Sequence, residues 1–249
     1  MALSPGRLGF WFRDPPTPPR AARKKALLFF DYWTQGPYGM TDYYRGYDVN
    51  PVRDVFPFIG PRLESLGLQV DYVTSYSALI NMDLDQYSQL WDVGYASPYV
   101  TNPTVDPTAK LTQYLQNGGS MFIMGENAWF GARDDAIDIF VTGLGGGNIV
   151  RSYVDHNFIM SSTVYEEFRI ANQSAQTTFN RPGTFQSIGT ATPMASGVNN
   201  EYCAVMWKTG SLSVAPKGAI VSVLDINIFT QMFFERYFID NIIVSMTKK

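Results

Sequence analysis

Three carboxylates stand at or just past the ends of short apolar runs: Asp31 after Ala26-Leu-Leu-Phe-Phe, Glu126 after Met121-Phe-Ile-Met-Gly, and Asp225 after Ala219-Ile-Val-Ser-Val-Leu. Runs of this kind predict central strands of a parallel sheet, and residues that end parallel strands gather along one rim. Acids gathered there, with Asp42 beside them, have the chemistry to hold Mg²⁺ or Ca²⁺ or to act as general acid and base. The same residues have a plainer use. An Asp at a strand end accepts backbone N–H bonds from the turn that follows, and this is the commoner role.

Other reactive types are scarce. His156, the one histidine, lies in Tyr153-Val-Asp-His-Asn-Phe158, and its neighbour Asp155 points the other way in an extended segment. Cys203 is the one cysteine, so neither an intramolecular disulfide nor a Cys/His zinc site is available. The turn Met124-Gly-Glu-Asn-Ala128 offers no thiol or hydroxyl where a strand-end nucleophile would sit. Gly143-Leu-Gly-Gly-Gly147 lacks the Lys-Ser/Thr ending of a phosphate loop and reads as an exit turn from a helix. No cofactor motif is present, and the residues favour a non-catalytic role.

Aromatic residues are plentiful, with 17 Phe, 15 Tyr and 5 Trp. Tyr32, Trp33, Tyr38, Tyr43 and Tyr44 crowd one loop, suited to stacking on a sugar or joining a protein interface. Residues 1–24 form a proline-rich arm in which Phe10, Trp11 and Phe12 precede Pro15, Pro16, Pro18 and Pro19. Closely spaced prolines exclude a helix interior, and three exposed rings would make a patch as large as any on a typical monomer. The arm is therefore expected to dock, on its own body or on a neighbouring subunit.

The elements that must position the rim follow from Lys25 onward. Strands are expected over Ala26 to Asp31, Leu68 to Val73, Trp91 to Ala96, Ser120 to Met124 and Pro216 to Asp225. Helices are expected over Val52 to Leu66, Asp83 to Leu90, Asp106 to Asn117, Asp134 to Val141 and Phe233 to Met246. In the Asp106 helix the Asp is the expected N-cap and Pro107 the first helical residue. In the last helix the expected inward positions are 234, 237, 238, 242 and 243. Residues 148–215, rich in Asn, Ser, Thr and Gln with short apolar stretches, read as a β-rich insertion within a single domain spanning 25–249.

Four segments in order carry a family resemblance: Leu63-Glu-Ser-Leu-Gly-Leu-Gln-Val70; Leu90-Trp-Asp-Val93; Leu111-Thr-Gln-Tyr-Leu-Gln-Asn-Gly-Gly-Ser-Met-Phe-Ile123; and Pro216-Lys-Gly-Ala-Ile-Val-Ser-Val-Leu-Asp225 followed by Tyr237-Phe-Ile-Asp-Asn-Ile-Ile243. In these the chain is similar to the class I glutamine amidotransferase-like superfamily, especially its divergent ThuA-like members. The resemblance implies an α/β fold with a flavodoxin-like, mostly parallel sheet flanked by helices, and any site at the carboxyl ends of the strands. Family enzymes with a nucleophile carry it in the turn after the strand matching Met121 to Met124, with a histidine later in the chain. Here Glu126 stands in that turn, and His156 precedes Cys203, the reverse of the family order. The resemblance thus implies a scaffold that lacks the nucleophile.

A net charge of −3 supplies no attraction to phosphate backbones, so nucleic acid is not an expected partner. No apolar run is long enough to span a membrane, and no secretory signal pattern opens the chain. The expected function is a non-catalytic structural or interaction protein, joining other protein subunits through its arm and aromatic loop. A virion or phage-tail accessory component, in a virion or a host cytoplasm, is the setting this composition fits. A carbohydrate-binding or carbohydrate-acting protein using the carboxylate rim, and a metal-dependent hydrolase, are the alternatives.

Overall fold

The computed structural model describes residues 24–29, 59–73, 75–93, 106–127, 131–152, 159–197, 201–229 and 235–248. Among them, eleven strands join in one sheet. The first four are β1 (Lys25–Phe29), β2 (Gln69–Val73), β3 (Gln89–Asp92) and β4 (Ser120–Met124). Six more come from the expected insertion: β5 (Ile149–Ser152), β6 (Ile159–Val164), β7 (Gln176–Asn180), β8 (Thr184–Ile188), β9 (Thr192–Ser196) and β10 (Tyr202–Trp207). The last, β11 (Ala219–Val223), returns to the first group.

The order β2-β1-β3-β4-β11 is parallel throughout, the doubly wound arrangement of a flavodoxin-like core. β4 and β11 are buried along their whole length, which is why both are apolar but for Ser120 and Ser222. One face of this core carries Leu28, Trp91, Phe122, Met124, Val221 and Val223. It packs on Ile59 and Leu63 of α1 (Ile59–Ser65) and on Phe238, Ile239, Ile242 and Ile243 of α5 (Arg236–Lys248). The other face, through Leu27, Leu90, Met121 and Ile123, meets α2 (Tyr76–Asn81), α3 (Thr108–Gln116) and α4 (Gly131–Gly143). Trp91 stacks on Phe122 at 4.7 Å between ring centres, joining neighbouring strands inside the first core.

Beyond β11 the sheet turns antiparallel, continuing through β10, β9, β6 and β7, with β8 pairing both β10 and β5. β6 alternates exposed and buried residues, as a strand with one wet face must. β10 is buried from Cys203 to Trp207 instead of alternating, because it sits between β11 and the rest of the insertion.

Local chemistry moved several boundaries. The expected helix from Asp83 to Leu90 is a single turn over Leu84–Gln86, capped by the Asp83 carboxylate, which accepts the Asp85 N–H at 3.0 Å. Gln89 and Leu90 are instead the start of β3. Gln89 is buried because its side chain accepts from Trp91 Nε1 and donates to the Ile243 carbonyl. α3 begins at Thr108, whose N–H is held by Asp106 at 2.8 Å, one residue later than the proline suggested. α2 had no sequence signal beyond Ser75, whose hydroxyl accepts the Ala78 N–H. On α5, Tyr237 is 56% exposed, not inward, and Ile239 and Met246 take the core positions. Pro61 sits in the first turn of α1, where its missing N–H has no carbonyl to serve.

Candidate functional site

Residues Met124 and Val223 are register partners, so the chain leaves β4 and β11 side by side and sets Glu126 and Asp225 on one rim. Both are buried, at 2% and 0% exposure. The two Asp225 oxygens are already engaged: Oδ2 accepts the Asn180 N–H at 2.6 Å and Oδ1 the Asn227 N–H at 2.7 Å. Asn227 Nδ2 in turn donates to the Asn180 carbonyl. Burial, opposed by these bonds and helped by the nearby Glu235, pushes the Asp225 carboxyl up to about 7. Glu126 accepts the N–H of Asn127 and gives its own N–H to Asp134 Oδ1. Asp31, Asp42, His156, Phe10, Trp11, Phe12, Tyr32, Trp33, Tyr38, Tyr43 and Tyr44 lie outside the described residues.

Cys203 is not on this rim as a reagent. It is buried against Met160 and Ser162, and burial drives its thiol up to about 12, so it stays protonated. The glycines after α4 are also spent. The Gly145 and Gly146 N–H groups bond the Thr142 and Val141 carbonyls, so these amides close the helix instead of cradling a phosphate. Among the described residues no group of three metal-ligating side chains comes together.

The rim's main polar feature is an ion network that the sequence reading missed. Arg133, buried on α4, donates to the Met124 carbonyl and lies 3.2 Å from Asp92 Oδ1 at the end of β3. Arg151 reaches from β5 to α4, where it grips both oxygens of Asp138 at 2.7 to 2.9 Å. Its Nη1 also approaches Asp134 Oδ1 at 3.3 Å, without hydrogen-bond alignment. Burial raises the Asp134 carboxyl to about 6, against the pull of Arg151 and the Glu126 amide. For Arg151, burial disfavours the charge but Asp134 and Asp138 outweigh it, and the guanidinium stays charged. The available signal was the Asp134 and Asp138 pair, spaced one helical turn apart, with Arg151 as an isolated cation in a polar insertion.

Where a nucleophile would stand, the described part of the turn is closely packed. A side chain on Gly125 would come within 2.4 Å of Leu224 and 2.9 Å of Asp134. From the other side, the β7–β8 turn presses Gly183 so close that a Cβ there would be 2.4 Å from the Glu126 carbonyl oxygen. Glu126, Asp134, Arg151, Gly183 and Thr184 leave a crevice of about 10 Å³, room for about one water molecule.

Compared by sequence, the chain matches no family model and no curated protein. Solved structures do resemble it. Cytoplasmic protein STM3548 from Salmonella typhimurium shares 14% identity at a TM-score of 0.59, over 90% of this chain and 98% of that one. A ThuA-like protein from Bacteroides uniformis shares 12% identity at 0.54, over 95% of each chain. The mmIFT52 N-terminal domain shares 15% identity at 0.55, over 88% of this chain and 94% of that domain. The fold is ThuA-like. At such identities the likeness speaks for architecture alone. Within that architecture, Asp92 at the end of β3 pairs with Arg133, while Glu126 and Asp225 accept backbone N–H groups.

Proposed function

We propose that this chain is a non-catalytic interaction protein, built on an amidotransferase-like domain that lacks the nucleophile. One observation carries the reading: the turn after β4 is filled by the Arg151–Asp134–Asp138 network and the β7–β8 turn, where a reacting group would need space. Buried charges arranged in this way engage one another and hold one shape. The similarity to the mmIFT52 N-terminal domain, named as part of a larger protein, fits a scaffold. Residues 1–24 and the aromatic loop supply the means of joining other subunits, through Phe10, Trp11, Phe12, Tyr32, Trp33, Tyr38, Tyr43 and Tyr44. A virion or phage-tail accessory position suits such a part. The test is the solution mass of the full chain beside one that begins at Lys24. Loss of an oligomer on removing the arm supports the reading, and a monomer in both cases overturns it.

A further inference from the structure

The crevice under the β7–β8 turn has a roof tied down at several points. The sheet curls so that the end of β7 meets the residues just after β11: Asn180 gives its N–H to Asp225, and its carbonyl accepts from Asn227 Nδ2. Further along the turn the Arg181 carbonyl accepts from Asn127 Nδ2 at 3.2 Å, and the Gly183 N–H reaches the Leu224 carbonyl. Below this roof stand Glu126 past the end of β4, Asp134 of α4, Arg151 of β5 and Thr184 of β8.

Two residues of that lining carry a buried polar atom left without a hydrogen bond. The Arg151 side chain is 5% exposed, and its Nε and Nη2 are bound to Asp138, but Nη1 has no hydrogen-bond acceptor among the described residues. Asp134 Oδ1, 3.3 Å away, is out of line with it and already accepts the Glu126 N–H. Thr184 has no exposed surface, and its hydroxyl oxygen is likewise without a partner among the described residues. Leaving a buried donor unmet is costly, more so when it is charged, and groups that protein cannot reach are met by ordered water. Protein has little freedom to reach this one. Turning Asp134 or Asp138 toward Nη1 disturbs a bond each already makes, and the roof is pinned from both sides.

We propose that the crevice is a binding site for one water molecule, which accepts from Arg151 Nη1 and shares a hydrogen bond with Thr184 Oγ1. The lining selects this ligand. A volume of about 10 Å³ admits about one water and little more. The guanidinium repels a cation, and the Glu126 and Asp134 carboxylates repel an anion, so the site fits a neutral molecule that both accepts and donates. Held there, the water ties β5 to β8 at the Ser152–Thr184 end of their ladder, where the insertion meets the rim of the parallel core.

Two measurements on the full chain test the site. In a high-resolution crystal structure, one solvent peak should lie within about 3.2 Å of both Arg151 Nη1 and Thr184 Oγ1. In solution, oxygen-17 relaxation dispersion reads the residence time of long-lived water. Thr184→Val removes one of the water's partners at nearly constant shape, and should shorten that residence about fivefold, the effect of one lost hydrogen bond. A crystal structure in which Arg151 Nη1 meets no solvent peak, meets one that refines as an ion, or binds a protein acceptor instead overturns the proposal. Dispersion profiles that coincide for the wild type and Thr184→Val overturn it as well.

Discussion

Arg151 is the side chain on which the rim depends most, because two buried or half-buried acids of α4 have it as their shared cation. Its replacement by Ala strands Asp134 in the interior, and breaking a buried pair from one side costs about 3 to 5 kcal/mol. Urea melts should show that loss at neutral pH. Asp134 adds a pH signature. Its folded value, raised to about 6, lies above its ordinary value of 3.8, so its contribution is fully present in acid and is lost as pH rises through about 6. Asp134→Asn should remove that part of the slope, measured as stability against pH. These residues show why site chemistry was hard to read in advance. Asp225 and Glu126 announced themselves by standing at strand ends, but Arg133, Arg151 and Asp92 are separated along the chain by elements of unknown packing. Nothing local says that a cation in the insertion will meet a helix acid.

Among the elements, the β7–β8 turn is the most sensitive to a small change. Gly183→Ala would set a methyl 2.4 Å from the Glu126 carbonyl oxygen, and backbone on both sides leaves little room to yield. Overpacking of this kind costs about 1 to 3 kcal/mol, to be read as a lowered thermal midpoint. Gly131→Ala, with nothing near the new methyl, serves as the neutral control. Elements whose signal is their own composition were readable: β4 falls on Ser120–Met124 as expected, since a parallel strand buried on both faces is apolar along most of its length. Those decided by one side chain were not. Asp83 diverts a helix into a single turn, and Ser75 starts a short one, through bonds that spacing alone does not reveal.

For the molecule as a whole, the parallel core and the antiparallel insertion share one sheet, so the insertion thickens the rim instead of standing apart. The α/β class was visible in the succession of apolar runs and helical spacings. The curl that brings β7 back to β11 was not, because pairing among short polar strands such as β7 and β9 is set by long-range contacts. It is this curl that closes the site, and it makes a direct test possible. Carbon-13 NMR of the side-chain carboxyls, followed during titration with Ca²⁺ and then Mg²⁺, asks whether Glu126 and Asp225 are available to a ligand. With both Asp225 oxygens and Glu126 Oε2 engaged by backbone amides, neither signal should show a saturable shift. Saturable shifts of both, with a common midpoint, would show an ion held between them and contradict the account.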